Sequence, residues 1–148
     1  MSGILNSQRQ SANQVVANST VLVSATGLSF ALVANERKRF RAVLPFTLAG
    51  AVSGLKVQVT NSQASANYLV ETQIYNGSTN AVALISVITA QASQSNALAN
   101  AANHLVIVDG EITQGAAAGT VSIQFAQLVS DAGAVTLLQG AFVDTTTL

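Results

Sequence analysis

The stretch Arg37–Leu48, Arg-Lys-Arg-Phe-Arg-Ala-Val-Leu-Pro-Phe-Thr-Leu, decides the fold class. Phe40, Ala42, Leu44, Phe46 and Leu48 recur at every second position, and Arg37, Arg39 and Arg41 fill positions between them. Side chains of a strand point alternately to opposite faces, so this spacing sets an apolar face against a charged one. Pro45 interrupts the run. It has no N–H to give to a ladder, which predicts that this strand lies at a sheet edge or is bulged there.

The same period recurs elsewhere. In residues 68–75, Val70 and Ile74 oppose Glu71 and Gln73; in 120–128, Val121, Ile123 and Phe125 oppose Ser122 and Gln124. Three separate segments with one period of two argue for half-buried antiparallel strands. Further short β-branched segments lie at 15–17, 21–24, 28–33, 55–60, 83–90, 104–113 and 135–143. Turn formers separate them: Ala25-Thr26-Gly27, Ala34-Asn35, Ala49-Gly50, Asn76-Gly77-Ser78, residues 115–119 and Asp131-Ala132-Gly133. Short strands at such spacing predict an all-β sandwich or barrel. Its core is the three apolar sets together with Val57, Val106, Val108 and Ile112. Asn76-Gly77 is the strongest hairpin signal, because type I′ turns need positive φ at both central residues. Residues 90–102 are rich in Ala but have no apolar stripe, and read as a long loop with room for one helical turn.

The 148 residues fit a single domain, 14–148, preceded by an N-terminal arm, 1–13. The arm is polar apart from Ile4 and Leu5. It reads either as a frayed terminus or as a segment held by a neighbouring subunit, and fully extended it would reach about 45 Å.

Charge is scarce. Only 8% of the chain is charged, with zero net charge and 49% hydrophobic residues; an ordinary soluble domain carries about 25% charged residues. Near-zero charge promotes association, so the composition reads as a surface largely covered by partners, the alternative being an unusually neutral monomer. There is no cysteine, which excludes disulfides and thiolate metal sites. The N-terminus has no apolar signal region. The stretch 72–108 lacks Asp, Glu, Lys and Arg but is broken throughout by Asn, Gln, Ser and Thr. Its longest apolar run is about half of what a spanning helix needs, so no membrane partner is expected.

The inventory for catalysis is thin. His104 stands alone at the start of a strand, as an ordinary surface or strand-end histidine would. The six acids are Glu36, Glu71, Asp109, Glu111, Asp131 and Asp144. Asp109-Gly110-Glu111 puts two carboxylates on one face, yet no loop has the six to eight oxygens calcium wants, and no metal or other cofactor is expected. The glycines of Gly115-Ala116-Ala117-Ala118-Gly119 lack the Lys-Ser/Thr of a phosphate loop and precede a strand, so they read as a turn. The chain is not expected to be an enzyme.

One charge feature stands apart: four of the six bases fall in Arg37-Lys38-Arg39-Phe40-Arg41. Alternation puts Arg37, Arg39 and Arg41 in one outward row. That row reads either as an anchor for an acidic partner or as one half of a salt-bridged face, with Glu71, Asp109 or Glu111 across the sheet. Zero net charge and few aromatics argue against nucleic acid. The candidate partner-binding residues are therefore Ile4, Leu5, Arg37, Arg39 and Arg41.

Arg39-Phe40-Arg41-Ala42, Gly54-Leu55-Lys56-Val57, Val106-Ile107-Val108-Asp109-Gly110 with Ile112-Thr113, residues 121–127 and the closing Leu137-Leu138-Gln139-Gly140-Ala141-Phe142 occur in that order. In this the chain resembles small structural proteins of tailed bacteriophages and prophages with a TNF/C1q-like jelly-roll domain. The resemblance spans roughly residues 15–143. It implies an antiparallel jelly-roll β-sandwich, with about eight to ten strands by the count above, in a homotrimer. As function it implies a capsid decoration (cement) protein on the major capsid protein, at the virion surface and made in the host cytoplasm. The alternative it leaves open is a fibre or tail-tip receptor-binding module. A fibre needs a shaft, and no heptads are visible.

Overall fold

The computed structural model describes residues 5–49, 54–98 and 103–148, and every helix-or-strand element within them is a strand. These are β1 (Leu5–Arg9), β2 (Gln14–Val16), β3 (Val23–Leu32), β4 (Arg37–Leu48), β5 (Leu55–Asn61), β6 (Ser65–Asn76), β7 (Ala81–Ile88), β8 (Gln94–Asn96), β9 (Asn103–Gln114), β10 (Gly119–Gln127), β11 (Val135–Leu137) and β12 (Phe142–Thr147). One sheet runs β1-β12-β4-β9-β6-β7, with β11 on β4 and β2 on β11; the other runs β3-β10-β5-β8. Every pairing is antiparallel. The chain passes from one sheet to the other at most connections, which is the path of a jelly-roll sandwich. Twelve strands among the described residues exceed the expected eight to ten because β1 and β8 add to the ladders and the segment 135–143 divides into β11 and β12, while 21–24 and 28–33 join in β3.

The core is the one the alternation names. Phe40, Ala42, Leu44, Phe46, Leu48, Val57, Val70, Ile74, Val106, Val108, Ile112, Val121, Ile123 and Phe125 are all buried. Each of the larger side chains contributes about 1.5–3 kcal/mol by leaving water. Two aromatic pairs cross the gap between sheets, Phe30 on Phe40 and Phe46 on Phe125, each with centroids 5.4 Å apart. Tyr68 adds a polar clasp, its hydroxyl donating to the Val59 carbonyl at 2.5 Å. Burial pushes the Tyr68 phenol well above its ordinary range, so it stays a donor.

Several local expectations are corrected. Pro45 lies in a central strand, paired across from Leu105 of β9, and not at an edge. It is tolerated because the opposite neighbour breaks there: β11 covers Phe46 to Leu48 and β12 resumes at Val43. The Pro45 carbonyl accepts from Leu138 N on that side at 2.9 Å, so its missing N–H faces the gap. The same gap splits the strand expected over 135–143, with Gly140 turning at φ +89°. The segments 21–24 and 28–33 are one strand. The turn expected at Ala25-Thr26-Gly27 is instead a bulge in β3, with Gly27 at φ +75° and the register to β10 shifting beside it. The hairpin signalled by Asn76-Gly77 forms, but over four residues, with Asn80 and not Gly77 in the left-handed region. Residues 94–96 of the expected loop pair with β5. Finally, residues 5–9 of the expected arm form a strand on β12 of the same chain.

Candidate partner-binding face

The outer face of the larger sheet is built by alternation. Since Phe40, Ala42, Leu44, Val106, Val108, Val70, Ile74, Val143 and Thr145 turn inward, their neighbours in sequence turn out. The register aligns these neighbours into rows across the strands. One row is Ser7, Asp144, Arg41, Asp109, Glu71, Val87; the next is Leu5, Thr146, Arg39, Glu111, Leu69. A third is Arg9, Phe142, Val43, Ile107, Gln73, Ile85.

Charge concentrates here. Of the chain's twelve charged side chains, eight lie on this face: Arg9, Arg37, Arg39 and Arg41 against Glu71, Asp109, Glu111 and Asp144. They form columns of alternating sign, positive on β1, negative on β12, positive on β4, negative on β9 and β6. Within the chain, Glu111 takes Arg37 at 2.5 Å and Arg39 at 3.6 Å, and Asp109 takes Arg41 at 3.7 Å. The salt-bridged face is therefore real. It is also weakly consumed, because the Arg39 side chain is 70% exposed while Glu111 is only 15% exposed. Exposed pairs of this kind contribute about 0–1 kcal/mol. Glu71 is turned toward its own strand and accepts from Gln73. Arg9 stacks over Phe142, 5.3 Å from the ring centroid.

Toward β7 the face becomes apolar. Ile85 is 62% exposed, Val87 57%, and Leu69 and Val82 46% each. A shallow depression of about 400 Å³ lies where the two halves meet, lined among others by Arg39, Leu69, Glu71, Val87, Asp109 and Glu111. A second, of about 310 Å³, lies between Leu5, Arg39, Arg41, Asp109 and Asp144.

The candidate residues thus fall together with one exception. Leu5, Arg39 and Arg41 border one depression and Arg37 continues the column; Ile4 lies outside the described residues. The sequence reading missed Asp144 and Thr146, because it ended the last strand at Val143. The alternation of Val143 and Thr145 with Asp144 and Thr146 was the available signal. It also missed Arg9, hidden in a segment read as an arm.

His104 is buried, and its Nδ1 accepts from the Gly77 N–H at 3.3 Å, fastening the β6–β7 turn to the start of β9. Asp109 and Glu111 face outward among arginines, and no group of three or more His, Cys, Asp or Glu suited to a metal occurs among the described residues. Residues 115–119 are a turn, held by Gln114 Nε2 donating to Ala117 O at 2.6 Å and Asn35 N to Gly115 O at 2.9 Å. No helix among the described residues is long and apolar enough to cross a membrane.

No family model and no curated protein matches the chain. Among solved structures it is similar to a family two carbohydrate esterase from Cellvibrio japonicus, at 13% identity and TM-score 0.33, over 95% of this chain and 35% of that one. It is also similar to a chain of the infectious bursal disease virus T13 particle, at 9% identity and TM-score 0.32, over 99% and 39%. A third is a chain of the Gx strain of that virus, at 13% identity and TM-score 0.27, over 99% and 41%. The chain spans well under half the length of each of these, and at such scores none of the likenesses assigns a function.

Proposed function

We propose that this chain is a structural component of a virion, a capsid decoration protein that seats on the major capsid protein as a homo-oligomer and stabilises the shell. The observation that carries the reading is the outer face of the larger sheet. It spans six strands, gathers most of the chain's charge in balanced columns, and exposes aliphatic side chains beside them. Such a surface suits extended contact with protein better than capture of a small molecule, which favours concave sites. The order of motifs resembling phage structural proteins supports the same reading. A protein of this kind works by adding interface area across neighbouring shell subunits.

The test is localisation on intact particles by antibody or tag labelling in electron micrographs. Label distributed over the shell is the expected result. Label confined to the tail or fibres overturns the decoration role, and no label on purified particles overturns the virion role altogether.

A further inference from the structure

We infer that the outer face of the larger sheet is where copies of this chain meet each other, with the arginine column of β4 in one copy set against the Asp109 and Glu111 column of β9 in the next. This rests on the reading of the chain as an assembly subunit and names the surface that joins the subunits.

Three observations fix the occupant as a second copy. The first is charge. Four positive and four negative side chains in adjoining columns make a face of zero net charge. A strongly acidic or basic partner would satisfy one set of columns and repel the other. A copy of the same face, displaced by one strand, about 4.8 Å, brings β1 over β12, β12 over β4 and β4 over β9, positive meeting negative each time, and leaves β9 over Glu71 of β6 as the one like-charged column. The second is incomplete pairing within the chain. Arg37 and Arg39 share Glu111, and the three arginine side chains are 55% to 70% exposed, leaving guanidinium donors directed outward. The third is area. Six strands of 5 to 12 residues, at spacing of about 4.8 Å and about 3.3 Å per residue, cover on the order of 870 Å². With one outer strand left uncovered by the offset, that is close to the roughly 800 Å² per partner of a standard stable interface.

The aliphatic end supplies what ion pairs do not. Leu69, Val82, Ile85 and Val87 together expose a patch beside the charges, and covering it provides the non-directional part of the affinity. The columns then set register, as charge patterns at interfaces do.

The experiment is a charge-swap mixing assay on the full chain, read by light scattering and native mass spectrometry. One variant carries Arg39→Glu and Arg41→Glu, the other Asp109→Lys and Glu111→Lys. Each face then repels itself, and dissociation at least tenfold easier than wild type is expected for either alone. Mixed in equal amounts, the two should re-form oligomers containing both variants. If the columns matter only within each chain, mixing restores nothing, and the proposal falls. It falls equally if both variants keep the wild-type size, or if the wild type is a monomer. Should either variant fail to fold by circular dichroism, Ile85→Lys with Val87→Lys at the exposed aliphatic end replaces it; retention of the wild-type oligomer there overturns the proposal, and dissociation supports it. Particle binding is measured in parallel. A monomeric wild type that still coats particles overturns the copy–copy contact alone, whereas an oligomer that ignores particles overturns the virion reading alone.

Discussion

The ring of Phe40 occupies the space that a side chain on Gly110 would need: a Cβ built on Gly110 would lie 2.5 Å from both Cε1 and Cζ of that ring. The two residues are direct register partners on β4 and β9. Glycine between Asp109 and Glu111 is thus what lets an aromatic fill the inner side while both acids stand outward beside the arginines. Core packing and the charged face meet in one tripeptide, Asp109-Gly110-Glu111.

Gly110→Ala should therefore destabilise the fold by about 1–3 kcal/mol through overpacking, since the ring also contacts Phe30 and has little room to move. Urea denaturation checks this. Adding Phe40→Leu to Gly110→Ala should recover part of the loss, a coupling of at least about 0.5 kcal/mol; strict additivity of the two changes would show that the contact is relieved elsewhere.

Tyr68→Phe tests the clasp between sheets. The hydroxyl donates to Val59 O in a buried setting, so its removal leaves a buried carbonyl without that donor. A loss of about 1–3 kcal/mol is expected in thermal or denaturant unfolding, with strand content by circular dichroism unchanged.

Gln127 is fully buried and acts as a polar peg for two loops. Its Oε1 accepts from Ser19 N at 2.9 Å, and its Nε2 donates to Asp131 O at 2.9 Å and to Gly133 O. Gln127→Leu should cost about 1–3 kcal/mol and raise amide exchange at Ser19 more than in the strand ladders. Uniform exchange across the chain would contradict a local peg.

The strands with strong alternation were legible in the sequence, because Phe40 to Leu48 or Val121 to Phe125 bury one whole side and a slip of one residue would expose it. What was illegible depended on neighbours. Pro45 signals an edge only when both flanking ladders are continuous, and the β11–β12 break is a property of residues more than ninety positions away. Gly27 makes a bulge and not a turn because β10 runs past both halves of β3. Leu5–Arg9 has almost no buried side chains, so its pairing rests on backbone hydrogen bonds that composition does not reveal. The candidate face was half visible for the same reason. The arginine row has its own period, and Glu71, Asp109 and Glu111 could be offered as its partners, but the choice of Asp109 and Glu111 among them and the place of Asp144 on the other side are set by register.

Glu36 gives the fold a predictable acid dependence. Burial pushes its carboxyl up, but the Val33 N–H, Lys38 and Thr147 together outweigh this and hold it below its ordinary value. A carboxylate with a lowered folded value stabilises above its unfolded value, about 4.3, and loses that contribution as pH falls through the folded one. Glu36→Gln should thus be less stable than wild type at pH 7, with the difference shrinking below about pH 4. A difference that stays constant down to pH 2 would show that shape, not charge, carries the contribution.

The arginine column separates stability from assembly. Arg37, Arg39 and Arg41 each hold an ion pair within the chain, but their side chains are 55%, 70% and 55% exposed. Replacing any one with Ala should change unfolding free energy by no more than about 1 kcal/mol, because water and entropy already offset an exposed pair. At an interface the same side chains lose water and meet charges of another molecule, where truncation costs more. The triple Ala variant should therefore remain folded yet show reduced occupancy on particles. The deficit should be largest in dilute buffer and shrink toward 1 M salt, where the screening length falls to about 3 Å and the wild type loses the same contribution. Equal occupancy of variant and wild type at every salt concentration would confine the column to its intrachain pairs, with Leu69, Val82, Ile85 and Val87 left as the contact surface to test next.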